Sequence, residues 1–248
     1  MKGMVLAAGL GTRLKPLTDH KPKALVEVGG KTLLEITLGR LRAVGVGEVI
    51  VNVHHFAEMI EQYLRNHNHF GMRIEISREE VLLDTGGGLK RAGWFFAENG
   101  ADEPFLLHNV DVLSGIDLGR MVERHRQAGA LSTLAVQERE TSRRLLFDER
   151  MELCGRRTGK EGNAEMARPA PAANAFAFTG IHVISPRMIG MMTEEGVFSI
   201  IPTYLRLAGA GEKILGFRAD EYYWRDLGKL SALQQAEEDW RRKLFVCP

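Results

Sequence analysis

Residues 5–25, VLAAGLGTRLKPLTDHKPKAL, gather Gly9, Gly11, Arg13, Lys15, Lys21 and Lys23 directly after a short apolar run. Glycines let backbone N–H groups come close to phosphate oxygens. Arg13 adds a planar, many-donor cation and Lys23 a point charge, and Pro16 and Pro22 stiffen the chain between them. The chemistry this suggests is the binding of a small phosphate. The spacing is not that of a Walker A loop, which needs Gly-Lys-Ser/Thr after its glycines, nor that of GxGxxG, because Leu14 stands at its last position. Glycine pairs alone would read as an exposed basic turn. A strand followed by AAGLGTRL, PLT and PKAL is far more specific.

Three further segments carry candidate chemistry. In LHNVDVLS (107–114) an apolar run ends at Asn109-Val110-Asp111. An aspartate at a strand end suits Mg²⁺, which takes few carboxylates plus phosphate oxygens; alone, it is more often a turn former or cap. Thr85 precedes Gly86-Gly87-Gly88 at a helix start, where a flat base or ribose can lie on bare backbone, though a flexible helix entry is the plainer reading. Thr179-Gly180 lies in a strand and admits either a sugar ring or a strand bend. The histidines of VHH (53–55) are neighbours on a strand and face opposite ways, which argues against a shared metal. Cys154 and Cys247 have no ligand spacing and read as two reduced thiols.

The elements that must position these residues alternate. Strand patterns fall at 3–8, 48–53, 72–77 and 105–108, and helix patterns at 32–45, 57–67 and 87–98, with Trp94, Phe95 and Phe96 read as core. This alternation predicts an α/β fold with a Rossmann-like, doubly wound, mostly parallel mixed sheet in three α/β/α layers. The second half is more mixed. Helices are expected at 118–129, 200–211 and 230–245, strands at 130–136, 175–185 and 213–218, and a hairpin around Glu149-Arg150. Residues 155–172, with Lys160, Glu161, Asn163 and Glu165 as loose sugar-contact candidates, read as a loop without period. No linker composition interrupts the chain. The expectation is one domain, 1–248, with a nucleotide lobe (1–114) and a sugar-phosphate lobe plus C-terminal helix (115–248).

The bulk properties set limits. Lys+Arg number 33 and Asp+Glu 32, so the formal charge is +1 and no nucleic acid partner is expected. No apolar run reaches membrane-spanning length, and MKGMVLAAG lacks the apolar region of a signal peptide, so the expectation is a cytoplasmic protein with no membrane partner. Whether it is a homo-oligomer is left open.

The stretch LAAGLGTRLKPLTDHKPKALVEVGGKTLLE resembles the signature of the sugar-1-phosphate nucleotidyltransferases. The resemblance implies a reaction in which an NTP and a sugar 1-phosphate give an NDP-sugar and pyrophosphate, with Mg²⁺ as cofactor. It implies NTP binding along Leu6, Ala7, Ala8, Gly9, Gly11, Thr12 and Arg13, with nucleoside contacts at Glu80, Thr85, Gly86 and Gly87. It implies sugar-phosphate contacts at Lys23, Asn109, Thr179 and Gly180, with Arg13, Lys23 and Asp111 as the catalytic set. The segment YWRDLGK (223–229) is similar to the family's late Trp-x-Asp-x-Gly, which implies that Asp226 shares the metal with Asp111. Three departures stand out: Val110 where the family usually has Gly, Lys229-Leu230 where it often has Thr-Pro, and no Glu-Lys-Pro-type segment before residue 175. Within the family, the compact layout looks most like the uridylyltransferases of N-acetylmuramate 1-phosphate, and also like guanylyltransferases of mannose or heptose 1-phosphates. Two other classes compete. A phosphocholine-type cytidylyltransferase would need an aromatic cage from Tyr222, Tyr223 and Trp224, which a strand would split between faces. An inactive NDP-sugar-binding regulator would have no need of Arg13, Lys23, Asp111 and Asp226 together.

Overall fold

The computed structural model describes residues 1–97, 102–159 and 162–245. Along the first half run β1 (Lys2–Leu6), the short β2 (Glu27–Val28) and β3 (Lys31–Thr32), α1 (Leu33–Ala43), β4 (Glu48–Val53), α2 (Ala57–Asn66), β5 (Arg73–Arg78), α3 (Asp84–Arg91), α4 (Gly93–Ala97), β6 (Phe105–Asn109) and β7 (Val112–Ser114). The second half adds α5 (Leu118–Ala128), β8 (Ser132–Gln137), β9 (Arg143–Phe147), β10 (Leu153–Thr158), β11 (Ala164–Met166) and β12 (Asn174–Ile184). It closes with α6 (Arg187–Gly190), α7 (Ile200–Gly209), β13 (Ile214–Arg218), β14 (Trp224–Asp226) and α8 (Leu230–Arg241).

Among the described residues one ten-stranded sheet runs through both halves, in the order β11-β10-β9-β12-β6-β1-β4-β5, with β8 on β12 and β13 on β8. β5, β4, β1 and β6 are mutually parallel. β12 then reverses direction against β6, β8 and β9. β1 has β4 on one side and β6 on the other, so the strand order switches at β1. Ligands of open α/β sheets bind beyond the strand ends at such a point.

Side-chain alternation sends successive residues of β1 to opposite faces. Val5 joins a core under α1, α2, α5 and α8, including Leu34, Leu38, Ile60, Met121 and Ala236. Met4 joins a second core under α3, α4 and α7, including Leu89, Phe95, Tyr204 and Leu207. The result is three layers. α1 begins on a side-chain cap: Thr32 Oγ1 accepts from Glu35 N at 3.1 Å. α5 begins on Asp117, which accepts from Arg120 N at 2.9 Å, and ends at Gly129 with φ +57°.

Three expectations are corrected. The run expected as a single helix at 87–98 is two, α3 and α4, and α3 starts earlier, at Asp84. Trp94 is half-exposed, while Phe95 and Phe96 are buried and Phe96 stacks on Phe105 at 3.7 Å. The expected loop at 155–172 is largely a hairpin, because Gly155–Thr158 continue the ladder with β9 and β11 folds back on Arg156. Lys160, Glu161 and Cys247 lie outside the described residues.

Candidate active site

The loop after β1 is pinned at both ends. Gly11 has φ +64°, and a Cβ there would lie 2.9 Å from Thr18 Cγ2 and 3.2 Å from Lys23 Cβ, so both backbone conformation and space demand glycine. Thr18 Oγ1 donates to Gly11 O at 2.8 Å. Leu14, fully buried in the turn Thr12–Leu14, anchors the loop with about 1.5–3 kcal/mol of apolar burial. A second turn, Lys23–Leu25, buries the stem of Lys23, and its Nζ donates to Asp111 Oδ2.

Asp226 reaches the same place through the sheet. β14 pairs antiparallel with β7, and Asp226 stands opposite Val112, the residue after Asp111. Leu227 N donates to Asp111 O at 2.8 Å, and Gly228 N to Asp226 Oδ1 at 2.7 Å. The Arg13 guanidinium lies against Gly228, where a Cβ would sit 2.5 Å from Nη2. The β7–β14 pair is braced from two sides. Arg40, buried in α1, donates to the carbonyls of Ser114 and Ile116. Tyr223 Oη donates to the buried Asp239 of α8 at 2.7 Å, and Arg225 Nη2 does so at 2.5 Å.

A polar relay crosses the ends of β1, β4 and β5. Ala7 N donates to Asn52 Oδ1 at 2.7 Å, Asn52 Nδ2 to Glu79 Oε1 at 2.6 Å, and Leu83 N to Glu79 Oε2 at 2.9 Å. Asn52 and Glu79 are both buried. Neither is a residue that the sequence reading singled out. The available signal was Asn52 itself, an amide inside the otherwise apolar run of EVIVNV.

A cleft of about 360 Å³ opens at the switch point. Of the expected residues, Leu6, Ala8, Gly9, Lys23, Thr85, Asn109 and Asp111 line it, together with Asn52, Glu79, Leu82, Asp84 and Val197. Gly11, Thr12 and Arg13 line an adjoining space that shares Gly9, Lys23 and Leu82 with it. Asn109 Oδ1 is buried at the cleft with no hydrogen-bond partner, an acceptor that a ligand donor would satisfy.

Several expected contact groups are engaged within the protein itself. The N–H groups of Gly86 and Gly87 both donate to Phe198 O, at 3.0 and 3.2 Å. A Cβ at Gly86 would meet the Phe198 ring at 2.4 Å, and one at Gly87 would meet Gly196 O at 2.6 Å. These glycines make room for the 196–198 segment, and their N–H groups are already engaged by it. Thr85 Oγ1 accepts from Ile200 N at 3.0 Å, at the start of α7. Glu80 is exposed outside the cleft lining, and Glu79 takes the inward place. The Ala7 N–H is spent on Asn52. Thr179 is buried and donates to Ala135 O at 2.8 Å, so its hydroxyl does not reach a sugar. Gly180, at φ +84°, makes room for the Asn109 amide, 2.8 Å from where a Cβ would stand. Outside the cleft, Glu165 pairs with Arg156, and His54 Nδ1 contacts Glu79 O at 2.8 Å.

The centre is a charge-balanced edge: Lys23 against Asp111, Arg13 close to Asp226. Among the described residues no group of three or more His, Cys, Asp or Glu forms. Asp111 and Asp226, whose backbones the β7–β14 pair brings together, are nevertheless the kind of carboxylate donors that fit Mg²⁺ when phosphate oxygens complete its shell. Behind Asn109, His108 is fully buried, and burial, followed by the charge of Arg40, pushes it down to about 3, so it is neutral. Among the described residues no helix is long and apolar enough to cross a membrane.

The nucleotidyl transferase family matches residues 2–145. The chain is 36% identical over 239 residues to an N-acetylmuramate alpha-1-phosphate uridylyltransferase of Caulobacter vibrioides, covering 94% of each. It is 29% identical to a mannose-1-phosphate guanyltransferase of Yarrowia lipolytica, over 92% of this chain and 61% of that protein. HddC from Yersinia pseudotuberculosis, solved with GMP-PN, shares the fold at a TM-score of 0.75 and 21% identity, over 96% of this chain and 99% of that one. The match through the strand–loop–strand half that carries Lys23 and Asp111, with a relative alike along nearly the whole length, makes this chain a member of the nucleotidyl transferase family.

Proposed function

We propose that this protein transfers the uridylyl group of UTP to N-acetylmuramate 1-phosphate, a cell-envelope amino sugar phosphate, in the cytoplasm. The observation that carries the reading is the β7–β14 pairing, which sets Asp226 beside Asp111 while Lys23 meets Asp111 at the switch-point cleft. The whole chain acts as one unit, with residues 1–114 holding the nucleotide and 115–248 the sugar phosphate. A relative that transfers uridylyl to N-acetylmuramate 1-phosphate, alike over 94% of this chain, supports the choice of sugar and base.

In-line transfer needs positioning and charge neutralisation and no protein nucleophile. A phosphate oxygen of the sugar 1-phosphate bonds to the α-phosphorus, the bond from that phosphorus to the bridging oxygen breaks, and pyrophosphate leaves with the electron pair. The attacking phosphate is already anionic near neutral pH, so no strong base is required. Asp111 and Asp226 would hold Mg²⁺, which when bound neutralises phosphate oxygens. Lys23 faces the phosphate undergoing attack, Arg13 the departing pyrophosphate, and the Asn109 oxygen accepts from a sugar hydroxyl. Pyrophosphate release with Mg²⁺, crossing the four NTPs with several sugar 1-phosphates and phosphocholine, tests this. Turnover with UTP and N-acetylmuramate 1-phosphate is expected. Turnover confined to CTP and phosphocholine, or tight UDP-sugar binding without turnover, overturns it.

A further inference from the structure

A second cavity, of about 490 Å³, has Asp226 in its wall and is lined by five arginines, Arg139, Arg143, Arg144, Arg156 and Arg157. In a chain with 33 basic and 32 acidic side chains, this is a strong local excess of one sign. Register sharpens it: Arg144 and Arg157 stand directly opposite each other across β9 and β10. Like charges so placed destabilise a strand pair. Arg156 is neutralised by Glu165, its Nε donating to Oε2 at 2.6 Å. Arg139 donates to Phe178 O at 2.8 Å, lies 3.9 Å over the Trp224 ring, and keeps a buried Nε without a partner. Among the described residues Arg143, Arg144 and Arg157 have no carboxylate in ion-pair reach.

Paired guanidinium groups present forked donors that match a carboxylate in geometry and charge. The transfer reading already engages the reacting phosphate at Lys23, and Asp226, which that reading assigns to the metal, also lines the arginine cavity. The arginines are therefore suited to a second negative group on the same substrate. We infer that Arg144 and Arg157, with Arg139 and Arg143 beside them, recognise a carboxylate carried on the sugar and so select acidic sugar 1-phosphates over neutral ones. The inference rests on the transfer reading above and names the group that reading leaves unassigned.

The test compares N-acetylmuramate 1-phosphate with N-acetylglucosamine 1-phosphate, which lacks the lactyl carboxylate, using UTP and Mg²⁺. The wild type is expected to prefer the acidic sugar, and Arg144→Met and Arg157→Met each to reduce that preference in kcat/KM by about 10- to 100-fold. Melting temperatures are expected to hold or rise, since a like-charge contact is removed, whereas a purely structural role would lower them. A wild type that uses both sugars equally well, or variants that lose both activities in the same proportion, overturns the inference and leaves nucleotidyl transfer standing. No turnover with any sugar 1-phosphate overturns both.

Discussion

Lys23 and Asp111, 88 residues apart in sequence, meet as an ion pair at the rim of the switch-point cleft. Lys23 comes from a turn late in the long loop after β1 and Asp111 from just beyond the end of β6, so the pair forms only once β1 and β6 are side by side. Under the proposed mechanism, removing either partner takes away a charge preorganised for the transition state. Lys23→Ala and Asp111→Asn are each expected to lower kcat by about 100- to 1,000-fold with the fold intact by circular dichroism. Near-normal pyrophosphate release by folded Asp111→Asn would contradict the assignment.

Gly228 separates Arg13 from Asp226. In Gly228→Ala the new Cβ would lie 2.5 Å from Arg13 Nη2 and 2.7 Å from Asp226 Oδ1. Both obstacles are side-chain ends that can swing aside, so stability should change by less than about 1 kcal/mol. The displaced guanidinium should nevertheless reduce turnover by about 100-fold. A variant that loses stability and keeps its rate would show that this contact is structural only.

Asn52 joins the Ala7 N–H to the buried carboxylate of Glu79. Asn52→Ala strands a buried donor on one side and removes a donor from Glu79 on the other, at a cost of about 1–3 kcal/mol. Urea unfolding measures this directly. Because Ala7 opens the phosphate loop, KM for the nucleotide should rise as well, and an unchanged KM would separate the relay from the site.

Three histidines give stability a pH dependence. Burial pushes His182 down to about 3, and burial followed by the charge of Arg126 lowers His125 to about 4; His108 behaves like His182. Unfolded histidine takes up its proton near pH 6.5. The folded values lie below that, so the unfolded chain binds more protons, and stability falls as pH drops from about 6.5 toward 4. Each histidine contributes up to about 1.4 kcal/mol per pH unit in that window. Urea midpoints should fall from about pH 7 to about pH 5, with a shallower fall in His125→Gln. A flat profile would mean that these rings are not held neutral.

What the sequence made legible follows the range of the interactions. The glycine-rich loop after β1 and Asp111 are local patterns, and the placement of Asp226 next to them was reachable through its resemblance to a late motif. The Asn52–Glu79 relay was not, because it exists only where three strand ends converge. Gly86 and Gly87 pointed to a nucleoside when read beside their sequence neighbours. In the structure they also pack against the 196–198 segment, more than a hundred residues later, which no local pattern announces. Residues 156–158 read as loop because Arg-Arg-Thr lacks apolar alternation. They form a strand through pairing with β9, and their charge is what gives the second cavity its character.

β12 is eleven residues long and pairs with β9 over Asn174–Phe176, while over His182–Ile184 it carries β6 on one edge and β8 on the other. It works as a beam spanning both halves of the molecule. Rotating one half against the other would shear backbone ladders on both of its edges, so the scaffold resists a jaw-like closure. Any adjustment to a bound ligand is then left to parts hung outside the beam, such as the loop after β1, at the periphery of a stiff frame.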